Sequence, residues 1–371
     1  MQIALTLIKA VFSFLYSVCK LVPTNGCKVL FLSRQSNKLS IDFRLLQSEL
    51  KTVAPEVKIV AICCKYSCAK ELPRFIVASL RSIYHLATSK VCVLDAYWPL
   101  VSILKHKNNL TIIQMWHSLG KVKKSGYQTL GSSYGRKTSL AKQMNMHQNY
   151  DYIIAGGQGW NAFYCESFNV AETTLVNVGL PRIDYLLNTK EVNKSRFFDV
   201  YGDLAKKEII LYAPTFRKGI DPKPYVEELV NSIDFSRYAL LLKAHPNQGI
   251  TINNPSVMTC DNFETMELLA VCDYLITDYS AIAIEAAVLD IKTYYYLYDY
   301  DDYVEKNGIN IDLLTLMRNC TFKNAKDLIE SITSKDYPYE ELNRYKTMYL
   351  PQELGTSTKK IASLIVAHLS F

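Results

Sequence analysis

The sequence predicts an α/β protein made of two doubly wound domains of parallel strands facing a central cleft. Three observations predict it. From Lys28 onward, short β-rich runs alternate with helical patterns, the signature of βαβ units. The length, 371 residues, suits roughly two domains of about 150 residues each. The composition is 49% hydrophobic and 21% charged, which fills two cores and excludes a disordered or fibrous chain.

The first 26 residues form a separate element. Gln2, Thr6, Lys9, Ser13, Ser17 and Lys20 recur every three or four positions in an otherwise apolar stretch, and Pro23-Thr24-Asn25-Gly26 ends it. That spacing predicts a helix with one narrow polar stripe. Lys9 lies within the apolar part, unlike the leading charge of a signal peptide. The longest charge-free run in it, Ala10–Cys19, has ten residues, against the ~20 that a spanning helix needs. Residues 1–26 are therefore expected to lie in a membrane interface or dock on the protein.

Residues 27–187 form the predicted first domain. Its strand candidates are KVLFLS (28–33), VKIVAI (57–62), KVCVLD (90–95), LTIIQMW (110–116) and DYIIAG (151–156). Between them lie amphipathic stretches such as Leu72–Leu86. Residues 188–371 form the second, with EIILYAP (208–214), YALLLKAH (238–245), DYLIT (273–277) and KTYYYLY (292–298). Asn188–Lys206 is polar and strand-poor, the best linker candidate. An amphipathic helix, Thr356–Leu369, closes the chain and is free to cross back.

The net charge of +7 conceals an asymmetry. Residues 1–150 hold 21 basic and 5 acidic residues (net +16), and residues 151–371 hold 21 and 30 (net −9). Between Tyr97 and Tyr150 there is no acid at all. The first half is built to face something anionic. The ten cysteines mostly sit in apolar runs, as small buried hydrophobes suited to a reducing, cytoplasmic compartment. CCxxxC at Cys63, Cys64 and Cys68 has no nearby His and poor metal-ligand spacing.

In such folds ligands gather at the carboxyl ends of strands. His117 follows the strand at 110–116, before a Gly- and Lys-rich loop, where it is placed as a general base. Lys121, Lys123 and Lys124 behind it are candidate phosphate ligands. His245 follows the strand at 238–244, and Pro246 stops that strand. His85, His106, His147 and His368 have helical or basic surroundings and read as structural or surface residues. The run CDYLITDYSAIAIEAAV puts Thr277, Asp278, Tyr279 and Ser280 between a buried strand and a helix. Ser280 suits an N-cap there, and the helix start suits a diphosphate. Glu285 lies one turn on, where a carboxylate can accept from ribose hydroxyls. Arg182, after Gly179 and Pro181, and Arg217, after the strand at 208–213, suit oxyanion contacts. Asp299, Asp301 and Asp302 in YDYDDY read as a loop rather than a metal site. No P-loop, GxGxxG, HExxH or GxSxG pattern occurs, so the corresponding enzyme classes lose their motifs.

Taken together, QMWHSLGKVKKSGY, VGLPRIDYLL, ILYAPTFR, LLLKAHP and LITDYSAIAIEAA resemble the CDP-glycerol glycerophosphotransferase family of teichoic acid and capsule polyol-phosphate transferases, in order and approximate spacing. The likeness spans roughly Lys28–Tyr303 and is to the short, primase-like members. It implies a GT-B architecture. It implies His117 as the base, His245 as a second essential histidine, and Thr277, Asp278, Tyr279 and Ser280 as part of the nucleotide diphosphate site. The family usually shows Trp-His-Gly-Thr-Pro where this chain has Trp116-His117-Ser118-Leu119-Gly120. The second Ser of the nucleotide motif is Ala281 here.

The expected activity is transfer of glycerol phosphate or ribitol phosphate from a CDP-activated donor to a hydroxyl of a lipid-linked glycan or polyol-phosphate acceptor, releasing CMP. No cofactor is expected, and no metal site is indicated, although a divalent metal is compatible with the chemistry. The expected partners are that donor, that acceptor and an anionic membrane surface, without nucleic acid. The expected location is peripheral, on the cytoplasmic face of the cell membrane. Two other readings stay open: a GT-B glycosyltransferase using a sugar nucleotide, and a non-catalytic membrane-surface binding protein.

Overall fold

The structure is a computed structural model. It describes residues 2–217, 219–244, 248–250 and 252–371, the side chains of 2–4 excepted. The chain forms two compact units. The first comprises Met1–Leu119, Ser125–Asp184 and Gly355–Phe371; the second comprises Gly120–Lys124 and Tyr185–Leu354.

The first unit holds six strands: β1 (Lys28–Ser33), β2 (Lys58–Cys63), β3 (Val91–Leu94), β4 (Thr111–Gln114), β5 (Tyr152–Ala155) and β6 (Leu175–Asn177). They form one parallel sheet in the order β2-β1-β3-β4-β5-β6. Every residue of β1 and β3 is buried, as expected where helices cover both faces of a parallel sheet. The register aligns the strand ends. Leu32 of β1 pairs with Leu94 of β3, and Leu94 with Gln114 of β4. Three neighbouring strands thus end level, and the residues after them share one edge of the sheet.

The helix Gln2–Cys19 packs Phe12, Tyr16 and Cys19 against this core. The Tyr16 hydroxyl lies 2.8 Å from Nδ1 of His106. The opposite face leaves Leu7, Val11, Phe14 and Val18 at least half exposed. Among the described residues no helix is long and apolar enough to cross a membrane. The closing helix, Ser357–Ala367, belongs to the first unit. The Asp184 carboxylate accepts the Ser357 and Thr358 N–H groups at its start, at 3.2 and 2.7 Å.

The second unit holds β7 (Glu208–Tyr212), β8 (Tyr238–Leu242), β9 (Val257–Met258), β10 (Tyr274–Thr277), β11 (Lys292–Tyr296) and β12 (Thr321–Phe322). They form a second parallel sheet in the order β12-β11-β10-β7-β8-β9. The polar stretch taken as a linker is largely helix, Arg182–Val200. Its few apolar residues do the anchoring, with Ile183, Leu186 and Phe197 buried, and its polar residues cover the remaining faces. All ten cysteines are free thiols.

Candidate functional site

In the first unit the level strand ends bring together Arg34 after β1, Asp95 after β3 and His117 after β4. Nδ1 of His117 lies 3.1 Å from the Asp95 carbonyl oxygen. That oxygen can only accept, so this contact calls for the proton on Nδ1 and leaves Nε2 as the basic nitrogen. Nε2 of Gln35 lies 3.1 Å from the same Nδ1, a contact that agrees with this tautomer when the amide is turned to present its oxygen. Trp116 holds a φ of +62°, rare for a bulky residue and a mark of a constrained turn. The turn sets the Trp116 ring tilted against the imidazole, their centroids 4.2 Å apart.

Asp95 is 3% exposed. Burial pushes its pKa up to about 7, and the charge of Asp42 adds to this; the Ser33 side chain, the Arg34 backbone N–H and Arg182 oppose it. Its Oδ1 finds no partner among the described residues. Arg182 is already engaged. Its Nη2 and Nε donate to Asp42 Oδ2 at 2.6 and 3.1 Å, and its backbone N–H donates to Oδ1 at 2.9 Å. Asp42 therefore caps the helix that Arg182 begins.

A cavity of about 390 Å³ opens beside His117, within the first unit, and Arg34, Gln35, Tyr97, Arg136 and His147 line it as well. Its wall depends on close packing of glycine. A Cβ on Gly135 would meet the Thr129 carbonyl oxygen at 1.6 Å, and one on Gly126, at φ +58°, would meet the Ser167 carbonyl oxygen at 2.1 Å.

In the second unit the chemistry gathers after β7 and β10. Thr277 donates to the Ala213 carbonyl at 2.8 Å. Asp278, 1% exposed, accepts the Thr215 N–H at 2.9 Å and faces Nη1 of Arg217 at 2.8 Å. Arg217 also donates through Nε and Nη2 to Asp299, at 2.6 and 3.1 Å. Burial works against the charge of Arg217, but Asp278 and Asp299 outweigh it and raise its pKa. The rings of Tyr279 and Tyr303 stack at 3.8 Å, and the Arg217 guanidinium lies 5.2 and 4.8 Å from their centroids. The Asp299 that reads as loop in the sequence is thus half of a buried clamp.

The lysines that follow His117 in sequence lie in the second unit. Asn310 holds their backbone, its N–H donating to the Val122 carbonyl at 2.8 Å and its Nδ2 to the Lys121 carbonyl at 2.7 Å. Lys121 is 2% exposed, and burial pulls its pKa well down. Lys123 lies 5.7 Å from the Tyr303 ring centroid. Burial lowers its pKa to about 8, Asp278 opposing and Arg217 assisting. Lys124 is exposed. The helix after the Thr277–Ser280 run is short, Ile282–Val288, and Ala281 occupies its cap position. The Ser280 hydroxyl accepts the Ile282 N–H at 3.4 Å. Glu285 is 5% exposed. His245 lies outside the described residues.

Sequence reasoning did not single out Arg34, Asp95 and Arg136 in the first unit or Thr215 and Asp299 in the second, and His147, read as structural, lines the same cavity as His117. The strand-end rule that singled out His117 would also have found Arg34 and Asp95. Among the described residues no group of three or more His, Cys, Asp or Glu is set to hold a metal ion.

In fold the chain is similar to the wall teichoic acid polymerase TagF, with a TM-score of 0.75 at 18% identity over 99% of this chain and 97% of that one. It is also similar to an S. aureus MnaA–UDP structure, with a TM-score of 0.56 at 13% identity over 91% and 95% of the two chains. These likenesses and the two parallel sheets define a GT-B-like α/β protein. Residues 14–367 match the family CDP-Glycerol:Poly(glycerophosphate) glycerophosphotransferase, and the chain belongs to it. Among its relatives are the teichoic acid ribitol-phosphate primase of Bacillus spizizenii, 28% identical over 98% of this chain and 97% of that protein. The teichoic acid glycerol-phosphate primase of Bacillus subtilis is 26% identical over 77% and 76%.

Proposed function

We propose that this chain is a polyolphosphotransferase that moves glycerol phosphate or ribitol phosphate from a CDP-linked donor to a hydroxyl of a lipid-linked or polymeric acceptor. Family membership over residues 14–367 supports the reaction class. The observation that carries the residue assignment is the imidazole of His117, anchored through Nδ1 on the Asp95 carbonyl. A base held by its far nitrogen presents Nε2 without having to search for its orientation.

In the reaction, Nε2 of His117 takes the proton of the acceptor hydroxyl. The oxygen attacks the β-phosphorus of the donor, the bond from that phosphorus to the bridging oxygen breaks, and CMP departs with the electron pair. The donor is assigned to the second unit, on the Thr277–Ser280 run with Lys123 beside it. Arg217 acts as a positioning residue, because its guanidinium is spent on Asp278 and Asp299. Arg182 likewise holds Asp42 rather than a phosphate. Lys121 is read as structural because of its burial. Glu285 remains the candidate for the ribose hydroxyls, and His245 keeps the second essential role on its sequence motif alone.

The amphipathic helix Gln2–Cys19 supports a peripheral site on the cytoplasmic face of a membrane, with Leu7, Val11, Phe14 and Val18 toward the lipid. The test of the reaction is incubation with CDP-glycerol, CDP-ribitol and UDP-sugars, with CMP and UDP release measured. CMP release from a CDP-polyol is expected; UDP release alone would make the chain a sugar transferase. His117→Ala should lower the CMP-forming rate by ~10²–10⁴-fold. Retention of near-full activity would remove His117 from its role.

A further inference from the structure

We propose that Asp95 is a positioning residue with two tasks at His117: its backbone carbonyl orients the imidazole, and its side-chain carboxylate is the counter-charge for the imidazolium that forms when Nε2 takes the acceptor's proton. This deepens the transferase reading and rests on it.

The geometry ties the two residues together. Nδ1 of His117 lies 3.1 Å from the Asp95 carbonyl oxygen. The Asp95 N–H donates to the Leu32 carbonyl at 3.3 Å, which fixes Asp95 to the end of β1. Gln114, fully buried, joins the turns after β3 and β4. Its Oε1 accepts the Trp116 N–H at 2.8 Å, and its Nε2 donates to the Ala96 carbonyl at 3.4 Å. One side chain thus holds the residue before His117 and the residue after Asp95.

What the Asp95 carboxyl lacks is a cation. It is buried and forms no ion pair among the described residues. The Ser33 hydroxyl and the Arg34 N–H donate to it, yet its Oδ1 has no partner among the described residues. The titratable groups around it do not supply one. Arg182 spends its guanidinium on Asp42, and the charge of Asp42 opposes that of Asp95. Cys63, at the end of β2, keeps its proton, since burial and then the charge of Asp95 push its pKa up to about 11. On the far side of the imidazole's cavity stand Arg34, Arg136 and His147, and two guanidiniums there disfavour a further positive charge.

A buried carboxylate without a cation is costly at rest. The imidazolium offsets that cost, and it exists only once proton transfer has begun. The attraction therefore acts on the transition state and not on the resting enzyme, which is the condition for acceleration. The proton passes from the acceptor hydroxyl to Nε2, the oxygen's electron pair goes to phosphorus, and Asp95 neither gives nor takes a proton. Burial brings the titration of Asp95 to about 7, so the counter-charge comes into place as the pH passes that value.

The experiment uses the full chain. Asp95→Asn keeps the backbone carbonyl and the side-chain volume and removes only the charge. For wild type and variant, kcat and the KM for CDP-glycerol are measured on both sides of pH 7. The His117 imidazole is titrated by NMR, assigned with His117→Gln, and stability is read from urea melts.

Above pH 7, Asp95→Asn should lower kcat by about tenfold or more, leave the donor KM unchanged and be no less stable than wild type. It should lose the rise in kcat that wild type shows as the pH passes about 7. Its imidazole should titrate about one pH unit or more lower. Equal kcat and pH profiles would overturn the proposal, as would an unchanged imidazole titration. A variant that loses stability, kcat and donor affinity together would make Asp95 merely structural and also overturn it. A second variant covers the case of an unfolded Asp95→Asn. In His117→Gln, the Asp95 carboxyl followed by carbon NMR should titrate at a higher pH than in wild type, and the same pH would count against the pair. Coupled titration in a chain that releases no CMP from any CDP-polyol would sustain the pair and sink the transferase reading instead.

Discussion

The two units handle their arginines in opposite ways. In the second, Arg217 is enclosed by Asp278 and Asp299, with bonds of 2.6–3.1 Å. In the first, Arg34 and Arg136 share a cavity without a carboxylate in its described lining. One guanidinium is neutralised by the fold; the other two form no ion pair among the described residues. The comparison separates a cation that the fold pairs from cations that it leaves without an ion pair, although all three come after strands or turns in the sequence. It also revises the charge asymmetry. Divided by unit, the first holds 21 basic and 9 acidic residues (net +12) and the second 21 and 26 (net −5). The contrast is smaller than the +16 and −9 of the sequence halves, partly because Lys121, Lys123 and Lys124 belong to the second unit.

The largest expected effect comes from the enclosed arginine. Arg217→Ala leaves two buried carboxylates without their cation, and breaking a buried pair this way costs about 3–5 kcal/mol. A urea melt should show that loss, while Arg136→Gln, on an exposed side chain, should stay within about 0.5 kcal/mol of wild type. Equal stability of both variants would erase the distinction between the two kinds of cation.

How much of the molecule is legible in its sequence differs by scale. KVLFLS at 28–33 coincides with β1 because a wholly buried parallel strand is a continuous apolar run. The strands β6, β9 and β12 went unseen, since two or three residues at a sheet edge carry no pattern. His117 and Thr277–Ser280 stood out because strand ends concentrate polar groups. Their partners did not. Arg217 meets Asp299 across 82 positions and Arg182 meets Asp42 across 140, separations at which no local periodicity relates two side chains. The same limit kept the carboxylate partners of both arginines out of sight of the sequence.

A second test lies in the acid of the first unit. Asp95 is buried and forms no ion pair among the described residues, and its pKa rises from 3.8 to about 7. The protonated carboxyl therefore favours the folded state fully below pH 3.8, and that contribution is lost as the pH climbs through about 7. Asp95→Asn, which cannot ionise, should flatten the decline in stability over this window and gain up to roughly 4 kcal/mol over wild type above it. Identical pH profiles for the two proteins would mean that Asp95 is compensated by a cation after all, and the first unit would then resemble the second.

The smallest effect, and the sharpest probe of the boundary between the two behaviours, concerns Lys123. It comes from the basic stretch of the sequence, yet its charge faces Asp278 of the second unit, and burial brings its pKa to about 8. If it only builds, like Arg217, CDP binding should not depend on its charge. If it binds, as proposed, a diphosphate stabilises the ammonium, so CDP affinity should fall as the pH rises past about 8. Lys123→Gln should then bind CDP roughly fivefold more weakly at pH 7, about 1 kcal/mol, and show no such fall. A pH-independent wild type would place Lys123 with Arg217, leaving the proposed donor site without a lysine.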